Sequence, residues 1–171
     1  MLKRALLGLF SMLALAGFAP GGEGAPQLTI ASIAQLPRPL PLPYHEGRDA
    51  SADVDAALQR ARAANKPLMI EFGGNWCADC RILAGVLALP QMRGWMARNY
   101  EVVHVDVGQF DRNLDIPARF GLARLRAVPA VLIIDPATGR MRNSGRELAL
   151  ADARILRPQA IADWMAQWTT N

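Results

Sequence analysis

The sequence predicts an α/β domain in which a central mixed sheet is flanked by helices. Segments with helical periodicity alternate with short apolar runs between residues 51 and 168. Half of the 171 residues are apolar and a fifth are charged, a composition that supports one hydrophobic core and is too apolar for a disordered chain. No internal repeat is visible. Helices on both faces of a sheet are the natural packing for this order of elements.

The first 25 residues are typical of a signal peptide. Lys3 and Arg4 precede an apolar stretch at residues 5–19, and small residues follow it. A membrane anchor is the alternative, but a spanning helix needs about 20 apolar residues and this stretch is shorter. We therefore expect a periplasmic or otherwise exported protein with no stable membrane span after cleavage. The candidate cleavage points are Ala19, Ala25 and Ala34.

Residues 26–50 predict a proline-rich N-terminal arm. Residues 36–43 read LPRPLPLP, and a proline at every second position favours extended, polyproline-like backbone. We interpret this segment as a stiff spacer between the leader and a domain over residues 51–171. A proline-rich recognition motif is the alternative interpretation.

The elements of the domain follow from periodicity and from helix-ending residues. Val54, Ala57 and Ala61 share one face of a predicted helix that Ser51 or Asp53 can cap. The expected elements are a helix over 51–64, a strand over 68–72, a helix after the cysteines to 88, a helix from 90 to about 98, a strand over 100–107, a short helix ending at 121, a strand over 127–135, a turn at 136–140 into one further strand, and a helix over 158–168.

The charge pattern argues against nucleic acid binding. The net charge is +4, the basic residues are scattered, and acidic residues are interleaved with them. No Ser-His-Asp set, phosphate loop or pair of carboxylates stands out. The chemistry of the chain is therefore expected at its two cysteines.

The only cysteines, Cys77 and Cys80, lie in the stretch GGNWCADCRIL at residues 73–83. If Cys77 begins the helix after the first strand, both side chains share one helical face with Cβ atoms about 5–6 Å apart. That spacing allows a disulfide after small adjustment. A helix N-terminus favours negative charge, so Cys77 is the expected attacking thiolate and Cys80 the resolving thiol. We expect Asp79 to oppose ionisation of Cys77 and Arg81 to offset it in part, which favours a reductant.

Two other uses of the cysteines are open. An inert structural disulfide would close a very short loop and would constrain the unfolded chain little. Zinc needs four ligands, and only His45 and His104 remain as histidines. His104 lies within a valine-rich strand, where a core histidine is the simpler interpretation. Copper(I) held by two thiolates is a further possibility.

The combination of FGGNWCADC after an apolar strand with AVPA about fifty residues later resembles the thioredoxin-like superfamily, and exported bacterial members with a WCxDC site in particular. The resemblance implies a thioredoxin-like fold over roughly residues 51–168. It implies that Trp76 shields the site and contributes docking surface, that Pro129 is the cis-proline beside the disulfide, and that Val128 offers backbone groups to a substrate. Glu71 matches the buried acid that helps to deprotonate the resolving cysteine.

The chain departs from the thioredoxin pattern at three places. Ala78 and Asp79 replace the Gly-Pro between the cysteines, Glu71 replaces an aspartate, and the segment over residues 108–126 is longer and could shape a substrate groove.

Together these observations predict an exported thiol–disulfide oxidoreductase that exchanges disulfides with cysteines of other exported proteins, more as a reductase than as an oxidase. Its redox group would be the Cys77–Cys80 disulfide, with no other cofactor and no metal. A membrane electron donor or acceptor would be a second partner. The alternative is a copper-handling or assembly protein that uses the same pair.

Overall fold

A three-stranded mixed sheet forms the centre of the protein, which the computed structural model describes for residues 23–169. The central strand is β1 (Leu68–Gly73). It pairs in parallel with β2 (Glu101–Asp106) and antiparallel with β3 (Ala130–Ile134). The predicted fold class, a thioredoxin-like mixed sheet flanked by helices, is confirmed.

Four α-helices cover the two faces of this sheet. They are α1 (Ala50–Ala64), α2 (Ala78–Leu87), α3 (Pro90–Asn99) and α4 (Pro158–Ala166). Helix α1 packs on one face, and the other three helices share the opposite face. Short 3₁₀ helices lie at Ile33–Gln35, Pro117–Phe120 and Ala153–Ile155.

The ends of α1 show which local residues set the boundaries. Asp49 caps the helix, because its carboxylate accepts the backbone N–H of Ala52 at 3.0 Å. The cap therefore lies before Ser51 and Asp53, the residues that the sequence suggested. Asn65 adopts the left-handed conformation and ends the helix, as the sequence predicts.

Alternation along β1 divides the core in two. Leu68, Ile70 and Phe72 face α1, whereas Met69 and Glu71 point to the opposite side. All six residues of the strand are buried. An acid within this strand is consequently held inside the protein.

The further strand expected after residue 140 does not form; within the described residues this segment makes a single bridge, between Ile134 and Met141. The side chain of Asn143 supplies part of the pairing with β3, beside backbone bonds such as that from the N–H of Arg142 to the carbonyl of Ile133 at 2.7 Å. The Asn143 amide accepts the backbone N–H of Ile133 at 2.8 Å and donates to the carbonyl of Val131 at 2.7 Å. A buried amide side chain thus satisfies the edge of β3 where a regular ladder is missing.

The proline-rich segment packs on the domain and does not stand free of it as a spacer. Leu36 and Leu40 are buried in the same cluster as α2 and α3. They lie over Gly85 of α2, where an added Cβ would come within 3.0 Å of Leu40 and 3.3 Å of Leu36. Leu36 and Leu40 therefore contribute to the hydrophobic core, which the proline pattern alone does not indicate.

Most of the expected signal peptide, residues 1–22, lies outside the described part of the chain. Glu23, which follows it, accepts hydrogen bonds from Arg98 at 2.9 Å and from Asn99 at 3.3 Å on α3. Between residues 23 and 169, no helix combines the length and the apolar character that crossing a membrane requires.

Candidate functional site

Cys77 lies at the N-cap of α2, and its thiol sulfur accepts the backbone N–H of Cys80 at 3.2 Å. The turn between β1 and α2 is closed by a hydrogen bond from the N–H of Cys77 to the carbonyl of Gly74 at 3.0 Å. Both cysteines are thiols in this structure, with Cys77 7% exposed and Cys80 fully buried. Only Cys77 can therefore meet another molecule.

The two thiols differ in their readiness to ionise. A hydrogen bond from Cys80 lowers the pKa of Cys77 to about 7 against the opposing effect of burial, and backbone N–H donors add to the lowering. The same hydrogen bond to Cys77, together with burial and the nearby Glu71, raises the pKa of Cys80. Near neutral pH Cys77, the more accessible of the two, is consequently divided between thiol and thiolate, whereas the buried Cys80 remains a thiol.

Asp79 is buried, and its charge raises the pKa of Cys77, so it opposes ionisation in the direction that the sequence indicated. The compensating cation is Arg154, which contacts both carboxylate oxygens of Asp79. These contacts outweigh the effect of burial and lower the pKa of Asp79. Arg81, the residue expected in this role, instead donates to the carbonyl of Leu40 at 3.4 Å.

The peptide bond between Val128 and Pro129 is cis. The thiol of Cys77 lies 3.7 Å from the carbonyl oxygen of Val128 and can donate to it. Val128 also packs against the buried cluster that contains both cysteines. The backbone of this loop is thus in direct reach of the Cys77 thiol.

An exposed apolar patch lies around Trp76, the residue that precedes Cys77. Trp76 is 49% exposed, and its indole N–H donates to the carbonyl of Gly108 at 2.7 Å. Its ring packs against Phe110 at 6.3 Å between centroids, and Leu114 is exposed close by in sequence. A groove of about 460 Å³ runs beside Phe110 and Leu114. The long segment over residues 108–126 therefore forms part of the surface next to the thiol.

Glu71 lies beneath the cysteines and is fully buried. One of its carboxylate oxygens accepts the hydroxyl of Tyr44 at 2.6 Å, and the other lies 3.3 Å from Nε2 of His104. Tyr44 belongs to the same buried cluster as Cys77 and Cys80. The structure thus adds two residues to Glu71 and the cysteines. The sequence did not indicate Tyr44, and His104, expected to be a core histidine, is 28% exposed and contacts Glu71.

Each of these two residues had only a weak signal in the sequence. His104 lies opposite Glu71 in the register of the parallel pair β1 and β2, so a correct register would have found it. Tyr44 lies in the proline-rich segment, where no periodicity points to a partner. His45, the neighbouring histidine, is exposed. Within residues 23–169, no group of three or more His, Cys, Asp or Glu side chains is placed to hold a metal ion.

Comparison with known proteins identifies the family. The sequence profile of the thioredoxin-like family matches residues 49–136. The chain belongs to the thioredoxin-like family. The resemblance inferred from the WCxDC stretch is therefore confirmed.

Two relatives carry names that bear on function. A crystal structure of a disulphide isomerase from Xylella fastidiosa Temecula1 is 37% identical, with a TM-score of 0.69 over 75% of this chain and 98% of that one. The thiol:disulfide interchange protein DsbD 1 of Pseudomonas aeruginosa is 30% identical over 89 residues, which are 50% of this chain. This chain matches only 14% of the length of the Pseudomonas protein.

Proposed function

We propose that the protein is an exported thiol–disulfide oxidoreductase that exchanges disulfides with cysteines of other proteins through Cys77 and Cys80. The observation that carries this proposal is the asymmetry of the pair. An accessible sulfur with a pKa of about 7 lies on a helix cap, and a buried thiol lies one turn inside the helix. Thiolate attack followed by internal resolution needs these two states.

In the reductive direction the reaction has two steps. The Cys77 thiolate attacks one sulfur of a substrate disulfide, forms a mixed disulfide and releases the other substrate sulfur as a thiolate. Cys80 then loses its proton and attacks Cys77. The Cys77–Cys80 disulfide forms, the second substrate sulfur leaves as a thiolate, and two electrons have passed to the substrate.

Three residues around Cys77 form the substrate surface in this proposal. Trp76 supplies exposed apolar area, and the carbonyl of Val128, which precedes Pro129 and lies beside Cys77, can pair with the backbone of a bound strand. Glu71, inside the protein, accepts the proton that Cys80 loses. The names of the two relatives support exchange with protein disulfides.

Reduction is the favoured direction. A thiolate with a pKa of about 7 matches the value of about 7 in thioredoxin, a reductant, and differs from about 3.5 in the strong oxidant DsbA. The negative charge of Asp79 supports this direction, because it raises the pKa of Cys77.

The proposal that the protein is exported depends on the expected signal peptide at residues 1–25. A reductase outside the cytoplasm would take its electrons from a membrane partner.

The test is reduction of insulin disulfides by the domain with dithiothreitol as electron source, followed by turbidity. Substitution of Cys77 by Ser abolishes activity. A Cys80→Ser variant instead accumulates a mixed disulfide, because attack still occurs and resolution does not. A Cys77→Ser, Cys80→Ser double variant with full activity would overturn the proposal.

The direction of electron transfer is tested by measuring the reduction potential of the cysteine pair. A value near −270 mV, about that of thioredoxin, supports a reductant, and a value near −120 mV, about that of DsbA, contradicts it. Isomerisation is a second candidate because the Xylella relative is named a disulphide isomerase. Recovery of ribonuclease activity from ribonuclease with scrambled disulfides tests that candidate. In isomerisation, Cys77 attacks a substrate disulfide and is released by another substrate thiol before Cys80 attacks the mixed disulfide.

A further inference from the structure

A continuous set of polar side chains connects the buried thiol to the surface. The hydroxyl of Tyr44 donates to Glu71 at 2.6 Å, and Glu71 lies 3.3 Å from Nε2 of His104 on its other side. The ring of His104 also meets the ring of Tyr44 edge-on, at 5.8 Å between centroids. A carboxylate is therefore held between a phenol and an imidazole inside the core.

Tyr44 is the member of this set that reaches the resolving cysteine. It is 2% exposed and packs against Cys80. A methyl group added to Gly73 would lie 2.8 Å from the sulfur of Cys80 and closer still to the hydroxyl of Tyr44, so both atoms border the same small space. Burial and the neighbouring Glu71 and Cys80 keep the pKa of Tyr44 well above 10.0, so at neutral pH its hydroxyl carries a proton to donate.

His104 is the member that reaches solvent. Its side chain is 28% exposed and lines an open cavity of about 390 Å³. The other ionisable groups on that cavity wall are His45, Arg48, Asp53, Arg60, Asp106 and Arg112. The three arginines are paired with Asp53, Glu101 and Asp106 respectively. Arg93 lines the apolar pocket on the other side of His104.

We propose that Tyr44 transfers the proton of Cys80 to Glu71 and that His104 passes this proton from Glu71 to solvent. This inference rests on the proposed function, since it concerns the step in which Cys80 resolves the mixed disulfide. Tyr44 accepts the proton of the Cys80 thiol as its own hydroxyl proton moves to Glu71. The Cys80 thiolate then attacks Cys77, and the electron pair of the broken bond leaves with the substrate sulfur. Glu71 returns to its ionised form when its proton moves to Nε2 of His104 and on to water.

The geometry assigns this role to Tyr44 rather than to the acid nearest in sequence. Asp79 lies next to Cys80 in the chain, but both of its oxygens are taken up by Arg154. Glu71 has one oxygen bonded to Tyr44, and its other oxygen has no hydrogen-bond partner within the described residues apart from the contact with His104. The Glu71 oxygen that remains available to accept or pass on a proton is therefore the one that faces His104.

The test uses 5,5′-dithiobis(2-nitrobenzoate), which reports attack and resolution separately. Attack by Cys77 releases one nitrothiobenzoate at a rate that depends on reagent concentration. Attack by Cys80 on the mixed disulfide releases a second one at a rate that does not. We expect Tyr44→Phe to slow the second phase by about 10- to 100-fold and to leave the first within about twofold, as for loss of a proton-transfer group.

Tyr100→Phe is the matched control, because Tyr100 is equally buried and its hydroxyl bonds to the carbonyl of Met165 at 2.6 Å, on α4. It should leave both phases unchanged. An unchanged second phase in Tyr44→Phe, or an equal slowing of both phases, would overturn the role of Tyr44.

The role of His104 is tested separately by chemical rescue with imidazole, which would not occur if His104 only contributed to packing. We expect His104→Ala to slow the second phase and added imidazole to restore it, because the cavity is open to solvent. An unchanged rate, or slowing that imidazole does not reverse, would overturn the role of His104.

A wild-type chain with two normal phases that fails to reduce insulin would contradict the proposed function alone. Insulin reduction with an unaffected Tyr44→Phe variant would contradict the proton transfer alone.

Discussion

Reactivity of Cys77 should rise and level off with pH around neutrality. With a pKa of about 7, the sulfur is about 9% thiolate at pH 6 and about 91% at pH 8, so its alkylation rate should increase about tenfold over that interval and then level off. A thiol at its ordinary value of 9.0 would instead gain roughly 90-fold over the same interval and continue to rise.

The assay is alkylation of the dithiol form by iodoacetamide at a series of pH values, with modified Cys77 quantified by mass spectrometry. Cys80→Ala should move the midpoint upward, because the hydrogen bond from Cys80 is the largest cause of the lowered pKa. Cys80→Ser keeps a side-chain donor and should give an intermediate midpoint. A wild-type rate still rising at pH 9, or one midpoint shared by wild type and Cys80→Ala, would refute the reasoning.

Three further predictions concern packing, charge and docking. Leu40→Ala should lower the free energy of unfolding by about 2–5 kcal/mol in urea titrations, whereas Leu42→Ala, at a position 58% exposed, should change it by less than about 0.5 kcal/mol; equal effects would contradict the packing of this segment. Asp79→Asn should lower the pKa of Cys77, because it removes a charge that raises it; an alkylation midpoint that stays or rises would exclude this effect. Trp76→Ala should raise KM for insulin about tenfold while attack on the nitrobenzoate disulfide stays within about twofold; a parallel loss in both assays would argue against a docking role.

The arrangement of the cysteines could be predicted because it depends on local sequence. A CxxC that follows an apolar strand puts Cys77 at a helix start, and an acid inside a continuous apolar run, Glu71, is expected to be buried. Both follow from the chain within about ten residues of the site.

Contacts between distant segments could not be predicted in the same way. Arg154 is 75 residues from Asp79 in sequence, and Tyr44 is 27 residues from Glu71. The position of His104 depends on the register between two strands, which the sequence leaves open. Prolines at alternate positions predict the extended backbone of residues 36–43, but burial of Leu36 and Leu40 depends on a surface that other elements create.

The family match begins at residue 49, yet the segment before it supplies Tyr44 to the centre of the site. In the proposed proton transfer, two parts of the chain therefore act on the cysteines, and they can change independently. The dipeptide between the cysteines acts on the attacking sulfur, whereas the appended segment reaches the resolving one. Grafting residues 36–48 onto a thioredoxin-like domain that lacks them would alter how quickly mixed disulfides are released while the familiar motif stays intact.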